Sequence, residues 1–424
     1  MRASEDNAAA GRSFLAFFAA LSAAPAARIG DVQILEVAQA LALCAAAVLA
    51  VHARFRVRLP AIWREYGGRY LALLCGCAAV SAFSLRLPFY PPPGISALKQ
   101  PLAISLSRLA ELFLAMASLL FVAGALGRSP KWRRAVLDAF AGIAMLSACA
   151  SILGWLLFIG AGISTPVVYD FNDRVRGFFN EGGPYGMFLV AASLAVLLRA
   201  HLQPYRYRFQ VPATLGLFAV ALLLSGSKAG LLAAAGLAVL GVLISGSRRQ
   251  KLTLIAAAVL FLALLATFQR QFVTYWLLYQ DIDEAALYHP GDPNYVMGRV
   301  TGALIVPRMI AAHPIGGIGL GNYSLMRNDP EYRQGLPAVD EWDLTGMGLV
   351  GAVAELGIPL ALCLFAVLLR PLRMARKRKA ASVVAVAAAF QPLSFLLGVN
   401  LNFFYPWLVT AFALASQQTD RGTP

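Results

Sequence analysis

The feature that most constrains this chain is a succession of long apolar runs separated by short basic segments. They fall near residues 13–27, 33–51, 70–87, 105–126, 135–163, 183–200, 211–225, 229–246, 252–268, 344–369, 381–399 and 404–418. About 20 apolar residues carry a helix across the hydrocarbon core of a bilayer, where every backbone polar group must be bonded internally. The composition agrees: of 424 residues, 59% are hydrophobic and 13% charged, and mean hydropathy is +0.67. Soluble domains carry about 25% charged residues, so a soluble enzyme is excluded. The expected fold is all-α, a polytopic integral membrane protein of about 12 transmembrane helices. Residues 1–268 would hold nine of them, 269–343 a large helical outer loop, and 344–424 the C-terminal helices. The first run is short and broken by Pro25, so lying in the interface is its alternative to spanning.

The formal charge is +15. In a soluble chain that would suggest nucleic acid; in a membrane protein it records cytoplasmic loops facing anionic lipid. Five clusters hold 21 of the 36 basic residues: Arg54, Arg56, Arg58, Arg64 and Arg69; Arg128, Lys131, Arg133 and Arg134; Arg199, Arg206 and Arg208; Arg248, Arg249 and Lys251; and the run from Arg370 to Lys379. An even number of spans separates each from the next. Basic loops on the inside make both termini cytoplasmic. The outward segments are then 88–104, 164–182, the SGSKAG turn at 225–230, and 269–343. The five cysteines sit in apolar runs without nearby histidine at ligand spacing, so neither a disulfide nor a metal site is expected. The N-terminus lacks a basic start and a small-residue cleavage site, and is expected to be retained.

Chemistry is sought in the outward segments. YWLLYQ at 275–280 is amphipathic, suited either to the headgroup level or to packing on the bundle. In PIGGIGLGNYS, glycines 316, 317, 319 and 321 allow a tight turn or close backbone approach to a ligand, and the structural reading outweighs the functional one. Arg174, Arg176, Lys228 and Arg299 are cations that the inside rule does not explain. For any one of them, an ion pair with Asp170, Asp173 or Glu181 is the simpler reading. Four cations from three distant segments point instead to an anionic substrate, and a lipid-carrier phosphate is the anion expected at an outer leaflet, suited to the planar guanidinium fork. Arg108 and Glu111, three apart in one span, are expected to pair along a helix face.

Three stretches together resemble the O-antigen ligase and polysaccharide polymerase superfamily of bacterial inner membranes. DRVRGFFNEGGPYGMFL at 173–189 is similar to its Arg-x-x-Gly segment, with Arg174 and Gly177 at the matching places. LLLSGSKAGLLAAAGL at 222–237 resembles its Ser-Arg break between helices, with Lys228 for the usual Arg. GRVTGALIVPRMIAAHPIGGIGLGNY at 298–323 resembles its Gly-Arg helix, His-Pro and Gly-x-Gly turn, and AELGIP at 354–359 the start of its next span. The resemblance covers roughly residues 165–370.

It implies a glycosyltransferase with a periplasmic loop and periplasmic active site, moving an undecaprenyl diphosphate-linked glycan (O-antigen) to a lipid A core acceptor. The transfer would be inverting and metal-independent, with no cofactor. The polymerase alternative joins carrier-linked repeat units; a reading from another class is a lipid-linked glycan transporter. Negative charge grows on the leaving diphosphate, so preplaced cations lower the barrier: Arg174 and Arg299 are assigned to the diphosphate, with Arg176 and Lys228 supporting. One departure stands out, because the family's His falls where this chain has Gly346 and Met347. Candidates for the missing base are His313, Glu341, Asp343 and, last, His289. The alternative reading of His313 is a cap on the helix before it, and that of Glu341 and Asp343 is solvated rim charges.

Overall fold

The computed structural model describes residues 13–25, 28–29, 32–52, 60–91, 100–169, 174–207, 209–245, 299–334, 336, 338 and 347–419. These are helical almost throughout: α1 (13–21), α2 (Ile34–His52), α3 (Ala61–Ser84), α4 (Pro101–Arg128), α5 (Pro130–Ala161), α6 (Gly182–Leu202), α7 (Gln210–Leu224), α8 (Lys228–Ser245), α9 (Arg299–Ala312), α10 (Tyr323–Met326), α11 (Pro330–Arg333), α12 (Gly348–Lys377), α13 (Ser382–Leu396) and α14 (Phe404–Thr419). Two small antiparallel ribbons complete them, β1 (Arg28–Ile29) with β2 (Val32–Gln33), and β3 (Val168–Tyr169) with β4 (Arg174–Val175).

Six helices, α3, α4, α5, α6, α8 and α12, are long and apolar enough to cross a membrane. The first 12 residues of α2, together with α7 and α13, are shorter apolar helices. The molecule is thus a helical membrane protein with six helices of spanning length among the described residues, against the dozen expected. The run at 252–268 lies outside those residues, as do the YWLLYQ stretch, Asp170, Asp173, His289, Glu341 and Asp343.

Helix boundaries follow local chemistry. Ser129 alone joins α4 to α5: its side chain accepts the Trp132 N–H at 3.3 Å, and Pro130 fills the first helical position, where no donor is needed. Gly162, at φ +66°, ends α5 in the left-handed conformation that glycine adopts without penalty.

Short connections make successive helices antiparallel and give the bundle two chemically different ends. At one, Glu65 in the second turn of α3 meets Arg370 at 3.6 Å and Arg378 at 3.3 Å, and Arg199 at the end of α6 meets Asp138 in the first third of α5 at 2.8 Å. A Cβ on Gly124, late in α4, would touch Pro60 just before α3, joining these groups. The described basic clusters all fall here. At the other end, Leu320 bonds Ser81 (3.3 Å) and Ser105 (3.4 Å), and the Tyr405 hydroxyl donates to the Pro184 carbonyl at 3.3 Å.

Helix α14 is the best-buried element; Tyr405, Trp407 and Phe412 are fully enclosed. Phe140 meets Phe188 at 5.5 Å and Phe412 at 5.9 Å, both edge to face, the geometry ring quadrupoles favour. Lipid is as apolar as leucine, so helix association relies on such packing and on small residues that admit a neighbour. Gly186 and Gly230 meet around Ser227 in that way, tying α6 to α8.

Candidate functional site

Helix α12 is broken near its first third. Gly357 has φ 73° and ψ 161°, outside any helical conformation, and Pro359 follows. A proline at 359 cannot donate the bond that the Glu355 carbonyl would accept in an unbroken helix. The turn after α9 supplies the replacement: Gly319 donates its N–H to Glu355 O at 2.9 Å, Ile318 donates to Ala354 O at 3.0 Å, and Ile358 N–H returns to Pro314 O at 2.8 Å. The glycine-rich turn is therefore consumed in mending a broken membrane helix, which is its structural reading. Gly317 and Gly319 take φ +60° and +92°, and a Cβ on either would strike neighbouring atoms: the α12 backbone for Gly317, Ser84 and Asn322 for Gly319.

The break sets a carboxylate at the edge of a cavity. Tyr323 N–H donates to Glu355 Oε1 at 3.3 Å, and the Gly321 amide also reaches this carboxylate. Glu355, Arg108, Glu111, Tyr323, Asn400 and Asn402 are among the lining residues of a cavity of about 130 Å³, the volume of about four liquid-water molecules. Arg108 pairs with Glu111 at 2.7 Å, as the spacing predicts, and the pair faces this cavity. Burial raises the Tyr323 phenol above its ordinary range, with Arg327 opposing, so it stays a hydrogen-bond donor. Met347 lines the same cavity.

Arg174 lies at the same end. Its Nε donates to Ser225 O at 2.8 Å and Nη2 to Gly226 O at 3.0 Å, which pins β4 to the turn that opens α8 at Lys228. Close approach of backbones makes this possible, since a Cβ on Gly182 would meet the Ser225 and Val175 carbonyls. Burial lowers the Arg174 guanidinium from its ordinary value and the Glu181 carboxylate opposes that shift. Arg176 turns elsewhere, donating to Pro166 O at 3.0 Å. Phe179 ties this segment to the cavity's rim, stacking on Phe403 at 6.3 Å and meeting Tyr405 edge to face at 6.0 Å.

The structure thus brings Arg174 to the turn that Lys228 follows, while Arg174, Arg176 and Lys228 are not among the residues that line the cavity. Arg299 opens α9. His313 does not line the cavity; its Nε2 lies 2.8 Å from the Tyr332 hydroxyl, inside a separate apolar cluster of Ile305, Met309, Ile318 and Tyr332. Its ring therefore braces α9 against α11. Glu355 was missed by the sequence reading although it is the one acidic residue of a 30-residue helix. A lone carboxylate beside Gly-x-Pro in an apolar run was the available signal.

These features define a helical membrane protein with a polar cavity at one end of its bundle. No protein-family model matches the chain, and comparison with curated proteins gives no match.

Proposed function

We propose that the protein is an inner-membrane glycosyltransferase of the O-antigen ligase type, acting at the periplasmic face on an undecaprenyl diphosphate-linked glycan. The single observation that carries this reading is the attachment of Arg174 to the Ser225–Gly226 turn, 2.8 and 3.0 Å, immediately before Lys228. Arg174 is thereby held against the turn two residues before Lys228, at the end of the bundle opposite the described basic loops. The motif resemblance described above supports the same assignment.

In the proposed step an acceptor hydroxyl oxygen bonds to the anomeric carbon as that carbon's bond to the diphosphate breaks. The electron pair leaves on the diphosphate oxygen, where Arg174, Arg299 and Lys228 stabilise it. The hydroxyl proton passes to a carboxylate, and Glu355, oriented by the Tyr323 amide, joins His313, Glu341 and Asp343 as a candidate base and is the one we favour. The cavity accommodates a sugar hydroxyl, with the rest of both lipid-borne substrates outside it.

The test is reconstitution in liposomes with a carrier-linked glycan and either a lipid A core or a second carrier-linked unit. Transfer to the lipid A core, abolished by Arg174→Ala and by Arg299→Ala, is expected. Elongation of the second unit instead would make the protein a polymerase. Translocation of the carrier without a new glycosidic bond would make it a transporter and overturn the reading.

A further inference from the structure

At the end of the bundle away from that cavity, the start of α5 and the end of α6 enclose a second one of about 590 Å³. This lies within the roughly 300–1,000 Å³ of small-molecule sites. Its walls carry Lys131, Arg133, Arg134 and Arg199 against one carboxylate, Asp138. Arg133 is 1% exposed and Arg199 7%, while Lys131 and Arg134 stand exposed at the mouth.

The one carboxylate is already engaged. Asp138 Oδ1 lies 2.8 Å from Arg199 Nε. Arg199 also donates through Nη1 to the Gln203 carbonyl at 2.6 Å, and its guanidinium lies 4.8 Å from the centre of the Tyr205 ring. Three of the four cations occupy the first turns of α5, where the helix dipole favours negative charge. Like charges gathered at a positive helix end, in a partly enclosed space, are stabilised by an entering anion. The guanidinium fork bonds phosphate oxygens in pairs, and basic pockets between helices at a membrane face take phospholipid headgroups.

We infer that this cavity is a binding site for a phosphate-bearing anion. Its two possible sources are the headgroup of an acidic phospholipid and free phosphate. The inference is independent of the glycosyltransferase reading.

Thermal unfolding of the full chain in neutral detergent, titrated with phosphatidylglycerol, with phosphatidylcholine or with inorganic phosphate, tests it. Phosphatidylglycerol is expected to raise the melting temperature well above the phosphatidylcholine control. The variant Lys131→Gln/Arg134→Gln, which leaves the buried Arg133 and Arg199 in place, should weaken that response about thirtyfold, about fivefold per cation removed. Arg373→Gln/Arg376→Gln, which removes two exposed cations at the same end but outside the cavity, should leave it unchanged. A response to inorganic phosphate as well assigns the free anion; a response to the lipid alone assigns the headgroup. Equal stabilisation by both lipids with none from phosphate, or equal weakening in the two double variants, overturns the inference.

Discussion

Gly319 donates its backbone N–H to the Glu355 carbonyl at 2.9 Å, across 36 positions of sequence. That bond takes the place of the one Pro359 cannot make, so a turn outside the bundle completes a helix inside it. The consequence is a carboxylate fixed beside a polar cavity rather than lost along a continuous apolar helix.

Substituting the glycines of this junction should be costly. Gly357→Ala puts a Cβ against the Ile315 carbonyl at a φ and ψ that side chains avoid, and such strain costs about 1–3 kcal/mol. Gly68→Ala, in α3 with open space around it, should instead be neutral or stabilise by about 0.5–1 kcal/mol. Thermal unfolding in detergent compares them, and equal melting temperatures for the two variants would contradict the account.

Arg174→Lys should lower transfer by more than about tenfold even though the charge remains. The two carbonyls at 2.8 and 3.0 Å are met by different nitrogens of one planar fork, which a single ammonium cannot reproduce. Initial rates in liposomes decide this, with full activity in the Lys variant counting against a positioning role for the fork.

Glu355→Gln retains an acceptor for the Tyr323 amide and removes the proton-accepting carboxylate. Transfer is expected to fall by about 10²–10⁴, the usual worth of a general base, with little change in melting temperature. A variant with normal turnover would exclude Glu355 as the base.

The Tyr332 phenol, bonded to His313 at 2.8 Å, is pushed up to about 12 by burial and then by Asp329 and Glu331. A raised value means the folded state holds this proton more tightly than the unfolded chain. Its contribution to stability is therefore complete below 10.0 and lost as pH rises from there through about 12. Denaturation midpoints over that window should fall more steeply for the wild type than for Tyr332→Phe; parallel curves would remove the phenol from the explanation.

Much of the fold was legible because membrane helices announce themselves by length and apolarity. The runs at 105–126, 135–163, 183–200, 211–225, 229–246, 381–399 and 404–418 all coincide with helices observed within a few residues of those bounds. The Arg108–Glu111 pair was legible too, because three residues along a helix return to the same face. The role of His313 was not: its sequence context suggested a base or a cap, and its partner Tyr332 lies 19 positions away on another short helix. The basic residues likewise announced a lipid-facing end, without indicating that Arg133 and Arg199 line one cavity there.

The sequence by itself determined that this chain is a bundle of membrane helices whose described basic loops share one end, since apolar length and charge are properties of the residues alone. Which carbonyl receives the amide of Gly319, which turn holds Arg174 and where Glu355 faces were decided only by tertiary structure. Those relationships depend on backbones approaching across tens to hundreds of residues, and a donor's partner is set by geometry that local composition does not encode.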